Sequence, residues 1–133
     1  IKYLILRRKT LKVYPYATLA AERLNKLNDR LANLKKRYKR KRYTRIVEKY
    51  IQEEFTEELK KLTRSEGQIL VKLVHRETGK TTYQLLKELR NGFRAFSYNL
   101  VARAFDISLK KEFNPKISRE DYFIEDILRK QDY

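Results

Sequence analysis

The sequence predicts an all-α fold, a helical bundle of four to six helices containing an αα-hairpin. Three observations carry that expectation. Apolar residues recur at steps of three and four along most of the chain, the spacing that lines one face of a helix. Only three glycines and two prolines occur in 133 residues, too few turn-formers for a sandwich or barrel of many short strands. Cysteine is absent, so disulfides and zinc-thiolate sites play no part; a chain of this length can bury about two-thirds of its unfolded surface in one core. One domain is expected, with a lead-in segment at 1–15, an αα-hairpin at 16–62, a central region at 63–105 and a C-terminal helix within 106–133.

Residues 1–13 (IKYLILRRKTLKV) are apolar, then basic. The run from Tyr3 to Leu6 is too short to separate helix from strand. Pro15 lacks a backbone donor and disfavours helical geometry at Tyr14, which places a kink or a helix start here. Ala17, Ala20, Leu24, Leu27, Leu31 and Leu34 then form one stripe, predicting a helix over about 16–35. After a basic interruption the pattern resumes with Tyr43, Ile46, Val47, Tyr50, Ile51, Phe55, Leu59 and Leu62. A second helix over about 40–62 follows, and a linker this short makes it an antiparallel neighbour of the first.

Thr63-Arg64-Ser65-Glu66 matches a capping box, the threonine serving early amides while the glutamate reaches back. Ile69, Leu70, Leu73 and Val74 mark a third helix over about 64–77, and Gly79 tolerates the left-handed geometry that ends it. Thr81 or Thr82 can cap a fourth helix carrying Tyr83, Leu86 and Leu89. The periodicity continues through Asn91-Gly92 to Phe93, Phe96, Leu100 and Phe105, which favours one long helix over 81–105 rather than two meeting at Gly92. Beyond Asn114-Pro115, Ser118 with Asp121 signals a cap for a final helix through Tyr122, Phe123, Ile124, Ile127 and Leu128.

Lysine and arginine exceed aspartate and glutamate by 33 to 17, a formal net charge of +16. Such a field attracts polyanions: nucleic acid, anionic lipid or an acidic protein face. The tract Lys35-Lys36-Arg37-Tyr38-Lys39-Arg40-Lys41-Arg42 concentrates seven cations in eight residues. It reads either as a phosphate-binding patch, with Tyr38 and Tyr43 able to stack on bases, or as a solvated turn between helices. It supplies no sequence-specific readout.

Other motifs are weaker. Gly79-Lys80-Thr81 resembles the end of a nucleotide loop, but Val74 stands where the first glycine belongs and no strand precedes it, so it reads as a helix stop followed by a helix start. His75 is the only histidine and cannot complete a two-histidine metal site. A general-base role with Glu77 would need two residues that face different ways on a helix. The pairs Glu53-Glu54 and Glu57-Glu58 sit among lysines on an amphipathic helix, where a charged outer face explains them. No nucleophile elbow or zinc-protease helix occurs, and no cofactor is implied. Between 76 and 103, arginines alternate with aromatics. Arg76, Arg90, Phe93, Arg94, Phe96 and Arg103 have the composition of interface anchors for a protein partner, or of an internal ion-pair network around an aromatic core.

Several ordered motifs give the chain a resemblance to the family Domain of Unknown Function 4294, found chiefly in Bacteroidetes-type bacteria. They are Val13-Tyr14-Pro15-Tyr16-Ala17, Leu62-Thr63, Ser65 with Gly67, and Leu70-Val71-Lys72-Leu73. Then come Arg76-Glu77-Thr78-Gly79, Lys87-Glu88-Leu89-Arg90, Gly92-Phe93, Ala95-Phe96, Ala102-Arg103 and Phe105. The resemblance covers about 13–115; it departs at Glu66, His75, Asn91 and Ser97-Tyr98, and the basic tract is richer than the family pattern. It brings no activity. It implies export by an N-terminal signal peptide, hence the cell envelope or periplasm of a Gram-negative bacterium. The chain has no methionine, which a removed leader would explain, and no apolar run nears the roughly 20 residues that cross a bilayer.

The expectation from sequence is therefore a non-enzymatic, basic binding module of the envelope, a protein-interaction subunit of a larger assembly. The alternative is a polyanion-binding protein acting through Lys35, Lys36, Arg37, Lys39, Arg40, Lys41 and Arg42. A hydrolase using Glu66, His75 and Glu77 stands third, and requires those side chains to converge.

Overall fold

In the computed structural model, which describes residues 1–90 and 110–131, the chain is an all-α helical bundle. Helix α1 (Lys2–Asn33) is followed by α2 (Arg37–Lys49), a π-helical turn (Tyr50–Phe55) and α3 (Thr56–Lys60). Then come α4 (Arg64–Thr78), α5 (Thr82–Arg90) and a C-terminal helix α6 (Arg119–Lys130). Among the described residues there is no strand. The preference for one helix over 81–105 falls beyond Arg90 largely outside the described residues.

Helix α1 corrects the expected start at residue 16. It is continuous from Lys2, and Pro15 lies within it on the exposed side. Proline removes one helical hydrogen bond and clashes with the preceding turn. The stripe Thr10, Val13, Ala17, Ala20, Leu24 and Leu31, all buried, crosses the proline in phase, and its burial offsets that cost. Leu34, the C-cap, is extended (φ −83°, ψ 114°) and stops the helix.

The second helical segment is also not uniform. Tyr43, Phe55 and Leu59 are buried, while Ile46 is exposed. The step from Tyr50 to Phe55 is five residues, longer than an α turn spans; the π-helical turn takes up the extra residue and returns Phe55 and Leu59 to the core. Tyr50 and Phe55 then meet with ring centroids 6.5 Å apart. The antiparallel hairpin is present. Arg30 lies over the Tyr43 ring and Arg23 over the Tyr50 ring, so partners along the two arms run in opposite order.

Helix α4 is the centre of the bundle, packed chiefly on α1 and buried over Ile69–Val74. Its start is the expected capping box: the Glu66 amide donates to Thr63 Oγ1 (3.2 Å), and the Thr63 amide donates to Glu66 Oε1 (2.9 Å). Gly79 ends it at φ 75°, a conformation that costs side-chain-bearing residues. Thr81 caps α5, its hydroxyl accepting from the Gln84 amide (3.1 Å) while Gln84 Oε1 accepts from the Thr81 amide (2.8 Å). Ser118 caps α6 through the Asp121 amide (3.3 Å), and Ile124, Ile127 and Leu128 close the core.

Candidate functional site

The strongest concentration of available charge lies where α1 turns into α2. Lys35 and Lys36 occupy the turn, and Lys39, Lys41 and Arg42 follow on α2, all exposed. Arg45 and Lys49, also exposed, extend the row. Lys39, Arg42, Arg45 and Lys49 succeed one another at steps of three and four on one helix face, over about 15 Å at 1.5 Å per residue. Tyr38 and Ile46 are exposed on the same side. None of these seven cations forms an ion pair among the described residues.

One member of the tract does something else. Arg40 points toward α1 and donates through Nη1 to the carbonyls of Leu31 (3.0 Å) and Leu34 (2.9 Å). Both carbonyls lie at the end of α1, where that of Leu31 also accepts the capping Leu34 amide (3.3 Å), and the negative end of the α1 dipole favours the guanidinium. By contrast, α2 has no acidic residue in its first turn, so Lys35, Lys36 and Lys39 sit uncompensated at the positive end of a helix. That arrangement is unfavourable, and a bound anion would relieve it. The side chain of Arg37 lies outside the described residues.

The arginine–aromatic group is only partly visible. Arg90 is helical in α5, but its side chain, with Phe93, Arg94, Phe96 and Arg103, lies outside the described residues. Arg76 is turned into the molecule. It donates through Nε to Glu125 Oε2 (2.8 Å) and pairs with Glu77 (2.5 Å). Burial works against its charge, but Glu125 and Glu77 outweigh it and hold the guanidinium protonated more firmly than usual. The hydrogen bond from Arg76 in turn pulls the Glu125 carboxyl below its ordinary range. One turn earlier on α4, buried Lys72 reaches buried Asp121 (2.8 Å) and Glu120 (3.2 Å). These bridges clamp α6 onto α4.

Glu66, His75 and Glu77 are each engaged separately. Glu66 serves the cap of α4 and pairs with Lys12 (2.9 Å); the Thr63 amide and Lys12 lower its carboxyl from the usual value. His75 accepts the Phe113 amide on Nδ1 (2.8 Å), tying the segment before α6 to α4. Nine residues separate Glu66 from His75, about 13 Å along one helix axis, so they do not converge. Among the described residues no group of three or more histidines and carboxylates is placed to hold a metal ion, and no helix is long and apolar enough to cross a membrane.

Arg45 and Lys49 were missed in the sequence because they stand outside the contiguous tract; their spacing from Lys41 and Arg42 was the signal. A family model described as "Domain of unknown function (DUF4294)" matches residues 1–130. No curated protein and no solved structure matches the chain.

Proposed function

The chain belongs to the DUF4294 family, and on that premise we propose that it is a non-enzymatic binding module that holds an anionic polymer of the cell envelope on the α2 face. One observation supports this above the rest: Lys35, Lys36, Lys39, Lys41, Arg42, Arg45 and Lys49 project from one region without an acidic partner among the described residues. A protein that needed those charges only for solubility would gain from distributing them; Lys35, Lys36 and Lys39, at the positive end of α2, cost stability unless an anion binds there. The envelope location rests on the family resemblance. Arg76, engaged by Glu125 and Glu77, is less suited to anchor a protein partner than its composition implied.

A polyphosphate chain of defined length is the probe. Each phosphate contact releases a counterion, so affinity falls linearly with salt on a logarithmic scale, at a slope of roughly 0.7 to 0.9 per contact on nucleic acids. Binding of the wild-type chain is expected to fall steeply. The variant K39Q/K41Q/R42Q/R45Q, which leaves Arg40 in place, is expected to flatten the slope by about two to four contacts. An unchanged slope in a folded variant would reject the α2 face as the site.

A further inference from the structure

A groove of about 420 Å³ lies between the middle of α1 and the π-helical turn. Its floor is apolar, formed by Ala20, Phe55, Leu59 and Leu70, with Tyr16 and Leu19 at its edge. Tyr16 is 44% and Leu19 49% exposed, so the edge is an apolar surface with nothing over it. The π turn is what opens this space: it carries Tyr50 and Phe55 to one side and sets Glu53 and Glu54 along the rim. Bulges of this kind recur at functional sites.

The rim is acidic in a chain that is otherwise strongly basic. Glu53, Glu54, Glu57 and Glu58 line it. Three of them meet cations: Glu54 pairs with Arg23, Glu57 with Lys60 (3.2 Å) and Glu58 with Lys61 (3.6 Å). Glu53 meets none. Exposed pairs of this kind contribute little, so an incoming guanidinium can replace either lysine at small cost.

The matching surface is on the same chain. Leu4 is 66% and Ile5 42% exposed on the first turns of α1, and Arg7 and Arg8 beside them are exposed and form no ion pair among the described residues. Residues 4, 5 and 8 share a helix face. Residues 1–21 contain no aspartate or glutamate. An aliphatic knob flanked by arginines is thus available for an apolar floor rimmed by glutamates.

We propose that the groove of one copy receives the first two turns of α1 of a second copy, Leu4 and Ile5 over Leu19 and Phe55, Arg7 and Arg8 against the glutamate rim. Knob and groove are different surfaces, so the contact is heterologous and repeats head to tail, closing into a ring or continuing as a filament. The +16 charge opposes this at long range. Screening at physiological ionic strength, where the Debye length is about 8 Å, leaves the short-range contact dominant. The α2 cations take no part, so this inference stands independently of polymer binding.

Sedimentation velocity of the full chain over a concentration series, in physiological salt and without polymer, tests it. Wild-type protein is expected to form species larger than dimers as concentration rises. Leu4→Glu removes the knob and Leu19→Lys blocks the groove; both sites are exposed, and far-UV circular dichroism checks that helicity is kept. Each variant alone is expected to lose every species above monomer. Mixed in equal amounts they are expected to form dimers and stop, because only one productive knob and one productive groove remain. Wild-type protein that stays monomeric, single variants that assemble like wild type, or a mixture that stays monomeric would each overturn the proposal.

Discussion

At the residue scale, like-charged side chains in one tract have different duties, and the difference is measurable. Arg40 closes the end of α1 through two carbonyls, whereas Lys39 and Lys41 extend into solvent. Hydrogen bonds to a charged group contribute about 1.5–3 kcal/mol. Arg40→Gln is therefore expected to lower stability by roughly that amount in a urea titration, while Lys39→Gln and Lys41→Gln stay within about 0.5 kcal/mol of wild type. Equal losses at all three positions would remove the distinction. The sequence could not have singled out Arg40, because seven like charges in eight residues carry no mark of which one turns inward. Caps are the opposite case: Thr63 with Glu66, Gly79, Thr81 and Ser118 were legible because a cap joins a side chain to backbone within three residues. The bridges Lys72–Asp121 and Arg76–Glu125 join residues 49 apart, and nothing local announces them.

At the element scale, the helices were legible in number and facing, and the interruptions were not. In the sequence Pro15 marks a kink or a helix start because its local preference is strong; the stripe from Thr10 to Leu31 outweighs it. The five-residue step from Tyr50 to Phe55 was visible in the spacing of apolar residues but merges into an ordinary helical pattern when neighbouring Ile51 is counted as well. Its physical meaning is a wider turn. Deleting Glu53 shortens the step to four, which an α-helix spans, so α2 and α3 are expected to join without a bulge while Phe55 and Leu59 stay inward. Thermal unfolding of that deletion is expected to occur at the same or a higher temperature. A fall of several degrees would show that the wider turn is itself needed for the fold.

At the scale of the whole molecule, acid is expected to loosen the bundle. Glu66, Glu125 and Asp126 are held below their ordinary range by, respectively, the Thr63 amide with Lys12, Arg76, and Tyr3 with Lys130. A carboxyl depressed in the folded state contributes stability that is complete above its unfolded value, about 4, and is lost as pH falls through the lower folded value. Denaturant midpoints are therefore expected to be flat near neutrality and to fall below about pH 4. Glu66→Gln can still accept the Thr63 amide but has no charge to lose, and is expected to make that fall shallower; an acid limb identical to wild type would contradict the assignment. The bundle as a whole, its all-α class and the hairpin followed from periodicity. The candidate interface was legible as a charged tract, whereas its extension to Arg45 and Lys49 and the groove beside the π turn needed three dimensions.

The enclosure of Lys72 has a practical consequence. Amine-directed reagents attack the uncharged form of lysine. Burial alone would favour that form at Lys72, but Asp121 and Glu120 outweigh it and keep the ammonium protonated more strongly than in water. Among the described residues no other lysine is buried. Acetylation followed by peptide mass spectrometry is expected to mark Lys39 and Lys41 within the first time points and Lys72 only as the molecule opens. The chain thus contains its own clock for unfolding, readable without an attached dye; equal labelling rates at the three positions would show that the enclosure does not persist in solution.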